Sequence, residues 1–198
     1  MRKLAEEYYN KLSRHLTSIR VTGENARSFD FFEGIEKVGN IIKSQTEQGY
    51  KIMFIGNGAS AAISSHMSTD FWKNGGMKAL AFNDSSLLTC IGNDFGYEYI
   101  FEKSIEMFAD RGDVLIAISS SGKSKNILRG TQSARLKGCS IITLSGFKDD
   151  NPLSSMGDYN FYVPAQYYGP VEIAHHSICH CILDIIISHK QTQSHAGK

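Results

Sequence analysis

Five short apolar runs constrain this chain more than any other feature: KIMFIG from Lys51, MKALAF from Met77, DVLIAI from Asp113, CSIITLS from Cys139 and YNFYV from Tyr159. Each is the length of a strand, and most lack the in–out alternation of a sheet with one wet face. Near-continuous apolar strands imply burial on both faces, which is the condition of a parallel sheet covered by helices. Segments long enough for a helix separate the runs. Ahead of the first run, Leu4, Tyr8, Leu12, Leu16 and Ile19 recur at helical spacing, and Phe31, Ile35, Val38 and Ile42 do so again. The expectation is an α/β three-layer sandwich with a five-stranded parallel sheet and two N-terminal helices. The last helix starts around Gly169–Pro170, because proline is tolerated in a first turn that lacks intrahelical acceptors. It is expected to run to about Ser188, which makes residues 1–188 a single domain and 189–198 a polar tail.

With 198 residues, one well-buried core is the default organisation. The 21 basic and 20 acidic side chains leave a net charge of +1, too little to draw in nucleic acid. Glu6, Glu7 and Asn10 interrupt any secretory apolar segment, and no run reaches the roughly 18 uncharged apolar residues that span a bilayer. Cys90, Cys139, Cys179 and Cys181 form no C-x-x-C pair and suit reduced core positions. A cytoplasmic protein without a membrane partner is expected.

In such sheets ligands bind beyond the carboxyl ends of the strands, where the strand order reverses. After the first strand comes GNGASAA, in which Gly56, Gly58 and Ala61 fit G-x-G-x-x-G/A. After the third comes SSSGKSKN, which sets Ser119, Ser120, Ser121 and Ser124 around Gly122. Helix starts offer unpaired N–H groups to an anion. Hydroxyls and amides converging from two neighbouring loops suit a terminal phosphate monoester better than a pyrophosphate along one helix. For GNGAS alone a tight turn without ligand stays open, and Ser60 could be an ordinary helix cap. The P-loop pattern is absent.

These loops, with GNDFG at Gly92 and the helix PVEIAHHSICH, resemble the sugar isomerase (SIS) family, and within it the sedoheptulose 7-phosphate isomerases. The resemblance spans about residues 1–188 and implies a flavodoxin-like fold. It further implies a homotetramer with sites between subunits, acting on a phosphosugar by aldose–ketose isomerisation for surface-glycan synthesis. By it, Ser119, Ser120, Ser121 and Ser124 hold the phosphate, with Asn57, Gly58 and Ser60 nearby, and Asp94 contacts the sugar.

His66 and Asp70 are four apart on one helix, and Glu172 and His180 eight apart on the last, with His176 between them. Metal-binding members of the family use a histidine and glutamate on the first of these helices and a glutamine and histidine on the last. The resemblance thus makes His66, Asp70, Glu172 and His180 ligands of a divalent metal, zinc by preference, with Glu172 also facing substrate. Asp replaces the family's Glu, and Glu replaces its Gln. Asp70 is expected to be the base and His180 the proton relay, with His175 and His176 in supporting positions. The family also contains non-enzymatic tetramers, one of which binds the replication initiator DnaA, and isomerases of other phosphosugars. Both remain alternatives.

Overall fold

The computed structural model describes residues 1–196. The helices are α1 Arg2–Thr17, α2 Phe31–Glu47, α3 Ala59–Lys73, α4 Ser85–Asp94, α5 Ile100–Phe108, α6 Lys125–Lys137 and α7 Tyr168–Ala196. The strands are β1 Arg20–Gly23, β2 Ser28–Phe29, β3 Ile52–Gly56, β4 Ala79–Ala81, β5 Val114–Ser119, β6 Ser140–Gly146 and β7 Tyr159–Val163. They form one sheet in the order β2-β1-β7-β6-β5-β3-β4.

The five apolar runs are β3 to β7, and they pair in parallel, Ile52 opposite Val114 and Leu115 opposite Ile141, for example. Because successive strand residues face opposite sides, β3 feeds two cores. Ile52 and Phe54 join a cluster with Val38 and Ile42 of α2, Met67 and Phe71 of α3, and Ile178 and Ile182 of α7. Met53 and Ile55 join the other, with Phe101 and Ile105 of α5 and Ile127 and Ala134 of α6. Full burial of a side chain such as Phe54 contributes about 1.5–3 kcal/mol, and both layers require it.

The sheet has two strands more than expected. β1 pairs antiparallel with β7, Val21 opposite Phe161, and β2 with β1. Four residues and two residues are too short to carry a hydrophobic pattern, and within them only Val21 is buried. Between β6 and β7 the expected helix is a single 3-10 turn, Pro152–Ser155, capped by Asn151. Ile19 lies beyond the end of α1.

Asp30 starts α2, accepting hydrogen bonds from the amides of Phe32 and Glu33. Gly138 ends α6 at φ +78°. In α7, Pro170 falls in the first turn, and the helix runs past Ser188 to Ala196. This helix is long and apolar enough to cross a membrane by length and composition. Its apolar face (Val171, Ala174, Ile178, Ile182 and Ile186) is nonetheless buried in the first core.

Candidate functional site

The chain leaves β3 for the sheet edge at β4 and returns to β5 on the other side of β3. The reversal lies between β3 and β5, and the two loops singled out by the sequence emerge there side by side. In the first, a Cβ at Gly56 would overlap the backbone of Ser60, so the turn into α3 can be this tight only with glycine. Gly58 is the N-cap of α3 at φ +56°. Ser60 is therefore inside the helix, buried, and not its cap.

In the second loop, Gly122 sits at φ +61° against the Asn151 side chain. Asn151 Nδ2 donates to the Lys148 carbonyl at 2.7 Å, and the Leu153 amide donates to the Gly122 carbonyl at 3.1 Å, so the 3-10 turn props the loop from below. Ser124 is the N-cap of α6, yet its hydroxyl makes no capping hydrogen bond. An amide clasp ties the loops together. Asn57 Nδ2 donates to Asn126 Oδ1 at 2.9 Å, Asn126 Nδ2 donates to Asn57 Oδ1 at 2.8 Å, and Tyr97 Oη donates to the same Asn57 oxygen at 3.3 Å.

Between the loops is a cavity of about 240 Å³, lined by Asn57, Gly58, Ser60, Ser119, Ser120, Ser121 and Ser124, with Tyr168 and Glu172 on its α7 wall. All the expected phosphate-loop residues are thus brought together. Asp94 is not: it is exposed at the end of α4, accepting from Asn93 Nδ2 at 2.8 Å, and does not line this cavity.

Where α3 packs on α7, three imidazoles meet. The ring centroids of His66 and His180 are 5.5 Å apart, those of His66 and His176 5.2 Å, and those of His176 and His180 4.7 Å. One nitrogen from each lies within 4.8 Å of the other two. Asp70 Oδ2 stands 3.3 Å from His66 Nε2. Burial, then the charges of His180 and His66, hold the His176 imidazole below its usual range, against the opposing pull of Asp70. Its Nε2 is buried and has no hydrogen-bond partner. Glu172 is absent from the cluster; it stands one turn earlier on the same stripe of α7, at the phosphate cavity.

His175 faces the other way. Its Nε2 donates to the Ser145 carbonyl at 3.1 Å, and complete burial pushes its pKa down to about 4, which makes it a neutral core residue. Burial also pushes the Cys179 thiol up to about 12 and Cys139 to about 11, which leaves neither as a nucleophile at neutral pH. Sequence reasoning placed His176 only in support, and it missed Asn126, Tyr97 and Tyr168. Helical arithmetic, which puts residues 172, 176 and 180 on one stripe, was the signal that could have promoted His176.

The SIS domain family matches residues 7–146, which include both phosphate loops and α3. The chain belongs to the SIS domain family. Its SIS relatives include the phosphoheptose isomerase of Helicobacter hepaticus, 35% identical over 194 residues, covering 95% of this chain and 94% of the relative. The phosphoheptose isomerase of Aliarcobacter butzleri is 35% identical over 167 residues, 79% of this chain and 87% of its own. Among solved SIS structures, the phosphoheptose isomerase of Neisseria gonorrhoeae superposes with a TM-score of 0.82 at 26% identity, covering 93% of this chain and 98% of that one.

Proposed function

We propose that this chain interconverts sedoheptulose 7-phosphate and a heptose 7-phosphate, an aldose–ketose isomerisation that supplies a surface-glycan precursor. The observation that carries the reading is the convergence of two strand-end loops on one small polar cavity, with the imidazole cluster farther along the helix that forms its wall. Ser119, Ser120, Ser121 and Ser124, with the helix starts of α3 and α6, hold the phosphate. From the phosphate-bearing carbon of a ketoheptose, five C–C bonds of about 1.5 Å lead back to the carbonyl, roughly 6 Å when extended. One helical turn is about 5.4 Å. A substrate lying along α7 from the serine loop therefore passes Glu172 and presents its carbonyl end near His176, His180 and the His66–Asp70 pair.

There Asp70 takes the proton from the carbon beside the carbonyl, and the C–H electron pair becomes the carbon–carbon double bond of an enediol. His180 moves a proton between the two neighbouring oxygens, and Asp70 returns its proton to the adjacent carbon. His66, in contact with Asp70, orients that carboxylate. The donor set fits a divalent metal, since three imidazoles meet and His176 Nε2 is buried there without a partner. His66 and His180 would hold it, zinc being favoured by the imidazoles, and Asp70, which lies against His66 outside that cluster, is left as the base. When bound, it supplies carbonyl polarisation and charge stabilisation.

Assembly follows from α1, which has no buried residue in the isolated chain and presents Leu4, Tyr8 and Tyr9. We assign this face to contacts within a dihedral homotetramer, which light scattering would measure as four chain masses. Four free cysteines suit the cytoplasm. The decisive experiment is deuterium uptake from heavy water by a panel of ketose and aldose phosphates. Uptake with sedoheptulose 7-phosphate supports the reading; none with any sugar overturns it.

A further inference from the structure

Taking the isomerase reading above as given, we infer that His176 is the third imidazole ligand of the metal centre, in the place the family pattern would give to Glu172, and that Glu172 serves the substrate instead. Three observations carry this. One imidazole nitrogen from each of His66, His176 and His180 lies within 4.8 Å of the other two, and neither Glu172 nor Asp70 is in that group. Donors on a tetrahedral zinc, at about 2.0–2.1 Å from the ion, are roughly 3.4 Å apart, so side-chain adjustments of about an ångström gather the three. His176 Nε2 is buried with no hydrogen-bond partner. A buried polar nitrogen without a partner is destabilising, and an ion would satisfy it.

The third observation is the position of Glu172, half-buried on the wall of the phosphate cavity with Tyr168 and the serine loop. A carboxylate accepts hydrogen bonds and donates none. Between the phosphate and the imidazoles it therefore faces the mid-chain hydroxyls of an extended sugar and selects for donors there. Next to the phosphate itself it repels, so it sets how far along α7 the anion can slide. The Gln-to-Glu change is thus a change in the substrate channel, and the metal-binding capacity moves one turn on, to His176.

The test is metal affinity by competition with a chromophoric chelator, on zinc-loaded wild type and on His176→Ala, His176→Gln and Glu172→Gln. The visible spectrum of the cobalt-substituted proteins is a second readout. Loss of a group that only supports a ligand costs about 10–100-fold in affinity. Both His176 variants are therefore expected to lose more than about 100-fold, with a changed cobalt spectrum. Glu172→Gln should keep wild-type affinity and spectrum but show a raised KM for the phosphosugar. A loss of less than about 100-fold in the folded His176 variants, or any loss in Glu172→Gln, overturns the assignment, as does wild type that binds no zinc. Deuterium exchange by wild type is scored separately, so the isomerase reading can stand while this inference falls.

Discussion

Ser124→Ala separates a phosphate ligand from a helix cap. Ser is a common N-cap, and losing such a cap costs about 0.5–2 kcal/mol of stability. Ser124 occupies the N-cap position of α6, yet its hydroxyl caps nothing and opens on the cavity. Removing it should leave the melting temperature within about 1–2 °C of wild type, given about 2–4 °C per kcal/mol for a chain of this size. A hydrogen bond to a charged group contributes about 1.5–3 kcal/mol. Phosphosugar affinity, read by titration calorimetry, should therefore fall roughly 10- to 150-fold. The opposite pattern, a melting temperature lowered by several degrees with affinity unchanged, would make Ser124 an ordinary cap and refute the phosphate clamp.

Gly122→Ala forces a side chain into a left-handed position and onto Asn151, so a loss of about 1–2 kcal/mol or more is expected together with weaker phosphosugar binding, both visible in ligand-dependent melts. Asp113, buried between Lys51 and the amides of Lys51 and Asp110, is far from the site; Asp113→Ala should cost about 3 kcal/mol, or roughly 6–12 °C, with affinity at permissive temperature unchanged. His175 is protonated in the unfolded chain below about pH 6.5 but in the native one only near 4. The unfolded state thus binds the extra proton, and stability drops as pH falls from 6.5 to 4, by up to about 3 kcal/mol; His175→Gln should flatten that part of the urea-unfolding profile. Asp70→Asn should abolish deuterium exchange while leaving phosphosugar binding measurable; full exchange would remove Asp70 from the mechanism.

The parallel strands were legible because burial on both faces writes itself into composition: β5 is VLIAIS and every residue of it is buried. β1 and β2 carry no such mark, since they are held by pairing to β7 and to each other, with only Val21 buried and Phe29 packed at the edge of the core. The serine loop was legible because its glycine and hydroxyls are contiguous. Asn57 and Asn126 are 69 positions apart, and only the tertiary fold makes them a pair. His175 and His176 are neighbours in sequence, and one residue of helix turns them by about 100°. One therefore lies on the Ser145 carbonyl and the other among the imidazoles.

The amide clasp between Asn57 and Asn126 makes ligand occupancy a folding variable. Neither loop presents the cavity until β3 and β5 have paired, because the two halves come from distant parts of the chain. Anything bound there recognises the native state alone, and at 100 times its dissociation constant it adds about 2.7 kcal/mol to the unfolding free energy. Newly made chains would then be sorted by the sugar phosphate itself. Bound ligand would make the chain more resistant to proteolysis, and without it the same chain would unfold more often and be cleared sooner.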